Sequence, residues 1–359
     1  MKLTSWGWDS VWSESFSEFA RSGFVPARVV VRHNHIYTVV AESNGEGTEL
    51  RAEVAGRLKH SIAGPHQLPA VGDWVAIQIG GDGSALIHAL LPRRSRFSRK
   101  AAGRRTEEQI VAANADTVLL IAGLDNDYSP RRIERYLVMA WESGASPVIV
   151  LNKSDLCLDL FGHVREVANV AAGAPIHATS ALRGDGIDTL SRYFAAGKTV
   201  ALLGSSGVGK STLINRLLGA EVLPTQSVRE HDSRGRHTTT HRQLILLPGG
   251  GMVIDTPGMR ELQLWNAGEG MHVTFDEIET LARGCRFSDC KHVSEPSCAV
   301  RAALEAGELD SEHLASFHKF QRELAFLDRR VNKSATLKEK KRWKAIRKAA
   351  RNFYRERNE

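Results

Sequence analysis

Gly204-Ser205-Ser206-Gly207-Val208-Gly209-Lys210-Ser211 follows the apolar run Val200-Ala201-Leu202-Leu203 and precedes Thr212-Leu213-Ile214-Asn215-Arg216-Leu217-Leu218. The text reads as strand, glycine-rich loop, helix. In that context G-x-x-x-x-G-K-[ST] is a phosphate cradle, in which glycines let successive backbone N–H groups point inward and the helix N-terminus adds partial positive charge. Lys210 is placed to reach the β- and γ-phosphates, the Ser211 hydroxyl to sit on Mg²⁺, and Thr212 to follow in the first helical turn. A chain built around this loop is expected to hold a nucleoside triphosphate in a largely parallel α/β sheet.

The surrounding text repeats the strand-helix unit. An apolar strand within Ala115 to Ala122, a helix from Arg131 to Ser143 and a strand from Pro147 to Leu151 lead into Asn152-Lys153-Ser154-Asp155. A helix near Val164 to Ala172 precedes Ile176-His177-Ala178-Thr179-Ser180-Ala181, and another helix precedes the loop strand. After the loop come Gly235-Arg236-His237-Thr238-Thr239-Thr240, a strand from Gln243 to Leu247, and Met252-Val253-Ile254 ending in Asp255-Thr256-Pro257-Gly258. Such alternation specifies helices on both faces of the sheet, with ligands at the carboxyl ends of the strands.

Asn-Lys-x-Asp at a strand end selects guanine: the Asp155 carboxylate accepts from two guanine N–H groups, a pairing adenine does not offer. Lys153 can lie along the base, Asn152 can brace neighbouring loops, and Ser180 and Ala181 can offer backbone N–H groups to guanine O6. Asp255 is positioned to hold Mg²⁺ through water, and Gly258 to approach the γ-phosphate. Thr239, with Thr238 and Thr240 beside it, is the expected switch hydroxyl on Mg²⁺. The order is unusual, because the base-selecting motifs precede the phosphate loop. The same sheet forms if the domain is circularly permuted.

Upstream, Ala27–Arg32, His35–Ala41, Glu49–Val54, Trp74–Ile79 and Ala85–Leu90 are five short alternating runs, the pattern of a small barrel, here read as an OB-fold. Residues 1–26, with Trp6, Trp8, Trp12, Phe16 and Phe19, read as a short helical extension packed on a neighbour. Pro92–Arg105 is strongly basic and reads either as a solvated linker or as a strip that contacts phosphates.

Downstream, Cys285, Cys290, His292 and Cys298 are spaced C-x₄-C-x-H-x₅-C, three thiolates and one imidazole, the closed set of a structural zinc site. With 4 cysteines in 359 residues the chain has no disulfide framework, and Cys157 reads as a small apolar residue. A helical face follows at Leu314, Phe317, Phe320, Leu324 and Leu327. From Arg329 the chain is strongly basic against few acids and interleaved with Trp343, Phe353 and Tyr354, which suits an RNA-contacting arm, a solvated helix or, less well, a membrane-surface helix. The formal net charge is +7. No apolar stretch approaches the ~18 residues of a membrane span, so a cytoplasmic, monomeric protein is expected.

On these motifs the chain resembles the bacterial ribosome-small-subunit-dependent GTPase A family over roughly residues 27 to 330. The permuted order is joined there to Gly-Arg-His-Thr-Thr-Thr, Asp-Thr-Pro-Gly, the Cys₃His cluster and the lead-in Gln109–Asp116. The resemblance implies a multidomain protein with boundaries read here as a 1–26 extension, a 27–95 OB-fold β-barrel, a 96–114 basic linker, a 115–270 circularly permuted P-loop GTPase and a 271–359 α-helical zinc-binding domain with a basic tail. It further implies GTP/GDP, Mg²⁺ and Zn²⁺ as cofactors, and the 30S ribosomal subunit, 16S rRNA and proteins included, as partner. The subunit would stimulate hydrolysis late in its maturation. Met259 stands where Ras-like proteins carry a water-orienting glutamine, so another group must act. His237 is the candidate, alongside Lys210 and Thr239, although it could equally pack or contact RNA. Other readings are an RNA-binding GTPase acting on a different particle, and a nucleotide-bound scaffold without catalysis.

Overall fold

The computed structural model describes residues 2–43, 46–100, 108–221, 242–255 and 268–327. The alternating runs become β1 (Val25–His33), β2 (Ile36–Ser43), β3 (Glu46–Val54), β4 (Trp74–Ile79) and β5 (Ala85–Leu90). They hydrogen-bond in the order β1-β2-β3-β5-β4 and close through β1–β4, with β3 and β5 parallel and the other neighbours antiparallel. This is a closed OB-type barrel. Val29, Val39, Val75, Ile77 and Ile87 alternate inward to fill it, all fully buried. The short helix α1 (Ser10–Arg21) precedes it, N-capped by the Asp9 carboxylate on the Trp12 N–H, with Trp12 and Phe16 buried. Trp8 meets Trp74 edge to face at 4.7 Å. The aromatic extension is therefore packed on the barrel.

The basic stretch is not a passing linker. β6 (Arg96–Lys100) and β7 (Glu108–Ala113) pair antiparallel, because Phe97, Ile110, Val111 and Ala112 all find buried partners. Two of its arginines serve the fold. Arg93 pairs with the buried Asp73 carboxylate at 2.7 Å and donates to the His66 and Leu68 carbonyls. Arg94 lies over the Trp12 ring at 4.2 Å and bonds Asp9.

The α/β sheet comprises β8 (Thr117–Gly123), β9 (Ser146–Asn152), β10 (Ile176–Ala178), β11 (Thr199–Leu203), β12 (Arg242–Leu246) and β13 (Met252–Asp255). Their order is β10-β9-β8-β11-β13-β12, parallel apart from β12. Helices α3 (Pro130–Ser143), α4 (Leu160–Ala168) and α5 (Lys210–Leu218) cover it, after a small α2 (Gly56–Ser61) in the barrel. The segment between Ala181 and β11 is a 3₁₀ stretch, Ile187–Phe194, in place of an α-helix. Parallel central strands buried on both faces account for the near-continuous apolar runs in Thr117–Gly123 and Thr199–Leu203.

β12 also pairs with β1, Val31 opposite Gln243 and Arg32 opposite Arg242, so barrel and α/β sheet are one 11-stranded sheet. A register shift between Val29 and Val31 makes this possible. Before the bulge β1 faces β4, after it β1 faces β12.

Helices α6 (Gly268–Thr274), α7 (Asp276–Ala282) and α8 (Ala299–Ala306), then α9 over 311–327, form the C-terminal unit. α6 lies close on α3: a Cβ at Gly270 would collide with the Val138 carbonyl. Phe275 anchors the unit between Phe317 and Phe320, at 5.4 and 5.7 Å. No described helix is long and apolar enough to cross a membrane.

Candidate nucleotide site and metal centre

The phosphate loop starts where β11 ends. Gly204 is obligatory, because a Cβ there would strike the Ile121 carbonyl on the neighbouring strand. Gly209, at φ +97°, starts α5, and a Cβ on it would strike the Asn152 amide. With no side-chain cap on α5, its N-terminus faces the loop directly. Ser206 and Gly207 are exposed, Val208 is buried, and Ser211 and Thr212 lie half-buried in the first helical turn. Lys210 Nζ donates to the carbonyls of Gly204, at 2.7 Å, and Ser205.

Asn152 ends β9 and is 2% exposed. Its Nδ2 donates to the Val208 carbonyl at 2.7 Å, while its Oδ1 accepts from the Ala181 N–H at 2.9 Å and the Thr179 hydroxyl at 3.2 Å. One amide thus binds two loops, the bracing expected of it. Lys153, in the left-handed region at φ +64°, ion-pairs with Asp125. The Asp155 carboxylate accepts from the Ser180 hydroxyl at 2.6 Å. The strand end, the phosphate loop and the Thr179-Ser180-Ala181 turn are therefore brought together.

The N–H groups of Thr179, Ser180 and Ala181 donate to the Leu151 carbonyl, the Asp185 carbonyl and Asn152 Oδ1. The turn's amides hold the loops to one another.

Asp255 closes β13, which is paired to β11, so it stands at the phosphate end of the sheet. His237, Thr238, Thr239, Thr240, Gly258, Met259 and the tail from Arg329 lie outside the described residues.

Three residues near the loop escaped the motif reading. Asp125 and Asp127 follow β8, and Arg132 opens α3. The Ser205 hydroxyl donates to Asp127 Oδ2 at 2.6 Å, and Arg132 Nη1 donates to that hydroxyl at 2.9 Å and to Asp127. The Arg132 guanidinium and the Ser205 hydroxyl hold the Asp127 carboxyl below its ordinary pKa against the opposing effect of burial. Their position after a strand at its carboxyl end was the available signal.

The four ligand atoms of Cys285, Cys290, His292 and Cys298 lie within 4.8 Å of one another. Cys285 Sγ and Cys298 Sγ are 3.8 Å apart, and His292 Nδ1 is 3.6 and 3.5 Å from them. A tetrahedron with Zn–S near 2.3 Å and Zn–N near 2.05 Å has edges of about 3.8 and 3.5 Å. The donor set fits zinc. Glu295 shapes the knuckle by accepting from the N–H groups of Lys291, Val293 and Ser294, which pull its pKa down to about 2.

Comparison with known proteins agrees with this architecture. The family model described as RsgA GTPase matches residues 90–265. The chain is 51% identical to "Small ribosomal subunit biogenesis GTPase RsgA" of Opitutus terrae over 96% of both chains. It is 42% identical to the protein of that name from Syntrophotalea carbinolica over 99% of both. Among solved structures it is similar to YjeQ from Thermotoga maritima, at 30% identity and TM-score 0.61 over 84% of this chain and 99% of that one.

Proposed function

The chain belongs to the RsgA GTPase family, and on that premise we propose that it binds the 30S ribosomal subunit in its GTP state, acts late in small-subunit maturation, and leaves when the subunit stimulates hydrolysis. The observation that carries this reading is one continuous sheet in which a permuted nucleotide site and an OB-type barrel share a strand pair. That arrangement suits a GTPase whose nucleotide state is felt by a surface built for RNA.

In this reading the Asp155 carboxylate selects guanine. Lys210 and the loop N–H groups from Gly204 to Ser211 hold the phosphates, with Ser211, Thr239 and Asp255 around Mg²⁺ and Gly258 against the γ-phosphate. Held by these residues, Mg²⁺ would neutralise charge on the phosphate oxygens. His237 supplies the polar group that Met259 does not, and the Cys₃His set holds a structural zinc. The protein works in the cytoplasm as a monomer.

Sedimentation with purified 30S and 50S particles, in a nonhydrolysable GTP analogue and in GDP, tests the partner. Co-migration with 30S in the analogue and its loss in GDP are expected; migration with 50S alone would transfer the reading to another particle. Phosphate release should rise on adding 30S and fall back on His237→Ala. Full stimulated kcat in that variant would remove His237 from the chemistry.

A further inference from the structure

Ser205 is held at two atoms. Its carbonyl accepts from Lys210 Nζ, and its hydroxyl sits between Asp127 Oδ2 at 2.6 Å and Arg132 Nη1 at 2.9 Å. Arg132 Nη1 also ion-pairs with Asp127 Oδ2, so the three side chains close on one another, and it donates to the Asp127 backbone carbonyl at 3.3 Å. The Asp127 N–H in turn donates to Asp125 Oδ1 at 3.2 Å, and Asp125 carries the ammonium of Lys153. A single turn after β8 therefore touches the cation of the base-selecting motif at one end and the phosphate loop at the other.

We propose that Asp127 and Arg132 are positioning residues for nucleotide binding, which fix Ser205, and through its carbonyl Lys210, in the conformation that meets the phosphates. Lys210 cannot keep its bond to the Ser205 carbonyl if that residue swings, so loosening the brace displaces the phosphate-contacting cation. Alanine at position 205 would leave loop length and glycines intact and remove only the hydroxyl. The consequence belongs to nucleotide residence, with no step of hydrolysis routed through either residue. The inference rests on the guanine-nucleotide reading and is independent of the ribosomal one.

The test is dissociation of a fluorescent GDP from the full chain, followed by stopped flow. Asp127→Ala and Ser205→Ala should each speed release by about three- to tenfold, as expected for a charge-assisted hydrogen bond that is partly exposed. The double variant should release no faster than the quicker single one, because both remove the same contact. Ser205→Thr, which keeps the hydroxyl, should stay near the parent. A merely structural role would lower Tm without changing the release rate. Single variants within twofold of the parent, or a double variant that multiplies the two effects, would overturn the proposal. Binding of the fluorescent GDP by the parent chain checks the nucleotide reading separately.

Discussion

Asn152 and Asp155 stand three residues apart and do different kinds of work. The first is 2% exposed and is consumed by the protein, its amide tying Val208 to Ala181. The second is held from one side by the Ser180 hydroxyl, which orients the carboxylate without neutralising it. Asp155→Asn keeps an acceptor for that hydroxyl, so the loop should survive. Losing the charge should weaken GTP by about ten- to a hundredfold, from ~1.5–3 kcal/mol per hydrogen bond to a charged group, and move preference toward xanthine nucleotides. A fluorescence titration that finds unchanged GTP affinity would deny it the selector role. Motif spacing made Asn152 and the glycines legible, because their function lies in a local backbone. It did not reveal that Asp127 pairs with Ser205, 78 positions away, since nothing local marks a partner that only the sheet brings near. Nor could charge counting separate Arg93 and Arg94, engaged in the fold, from basic residues available to RNA.

Among the elements, α3 carries arginines with different neighbours. Arg132 reaches the phosphate loop. Arg131 bonds Glu134, Asp310 and Glu312 at 2.7 to 2.9 Å, and Arg135 meets Glu323 with two bonds, 2.8 and 2.9 Å. The buried Glu134 carboxylate also accepts from His313, which completes a polar seam between α3 and α9. Its exposed pairs contribute no more than about 1 kcal/mol each, so the seam orients the C-terminal unit while Phe275 and its neighbours hold it. The Cys₃His cluster lies on the far side of that unit, and Cys298 is also the N-cap residue from which α8 starts, so a zinc held there would tie down the start of α8. Cys298→Ser should cost one equivalent of zinc by metal analysis and lower the melting temperature of the C-terminal helices. GDP affinity should persist, since the described hydrogen bonds of Asn152 and Asp155 go to Val208, Thr179, Ser180 and Ala181, away from the cluster. Full zinc content in this variant would refute the ligand set. Cysteine spacing foretold this centre because four donors within fourteen positions can close on one ion with little help from the rest of the chain. The α3 seam had no such signature.

At the scale of the whole molecule, Arg28 joins parts of the chain far apart in sequence. It is 2% exposed, its guanidinium 5.3 Å from the Trp74 ring centroid. It donates to Trp6 and Gly72 carbonyls, to the Asn114 carbonyl at 3.4 Å and to the Thr199 hydroxyl at 2.8 Å, at the start of the strand that carries the phosphate loop. Burial lowers its pKa to about 10, with Asp116 and Asp73 opposing, so it remains protonated at neutral pH. Arg28→Ala would leave several carbonyls unpaired where extension, barrel and α/β sheet meet, a loss of about 3 kcal/mol or more. Calorimetry should find a lower Tm; an unchanged one would mean that water takes its place. The β1–β12 pair has a further consequence for the α/β unit considered as a separable piece. Without the barrel, the backbone groups of β12 that now face β1 would form an open sheet margin, a template for strand addition by a second copy. The barrel, whatever it touches outside, also covers that margin of its own GTPase sheet.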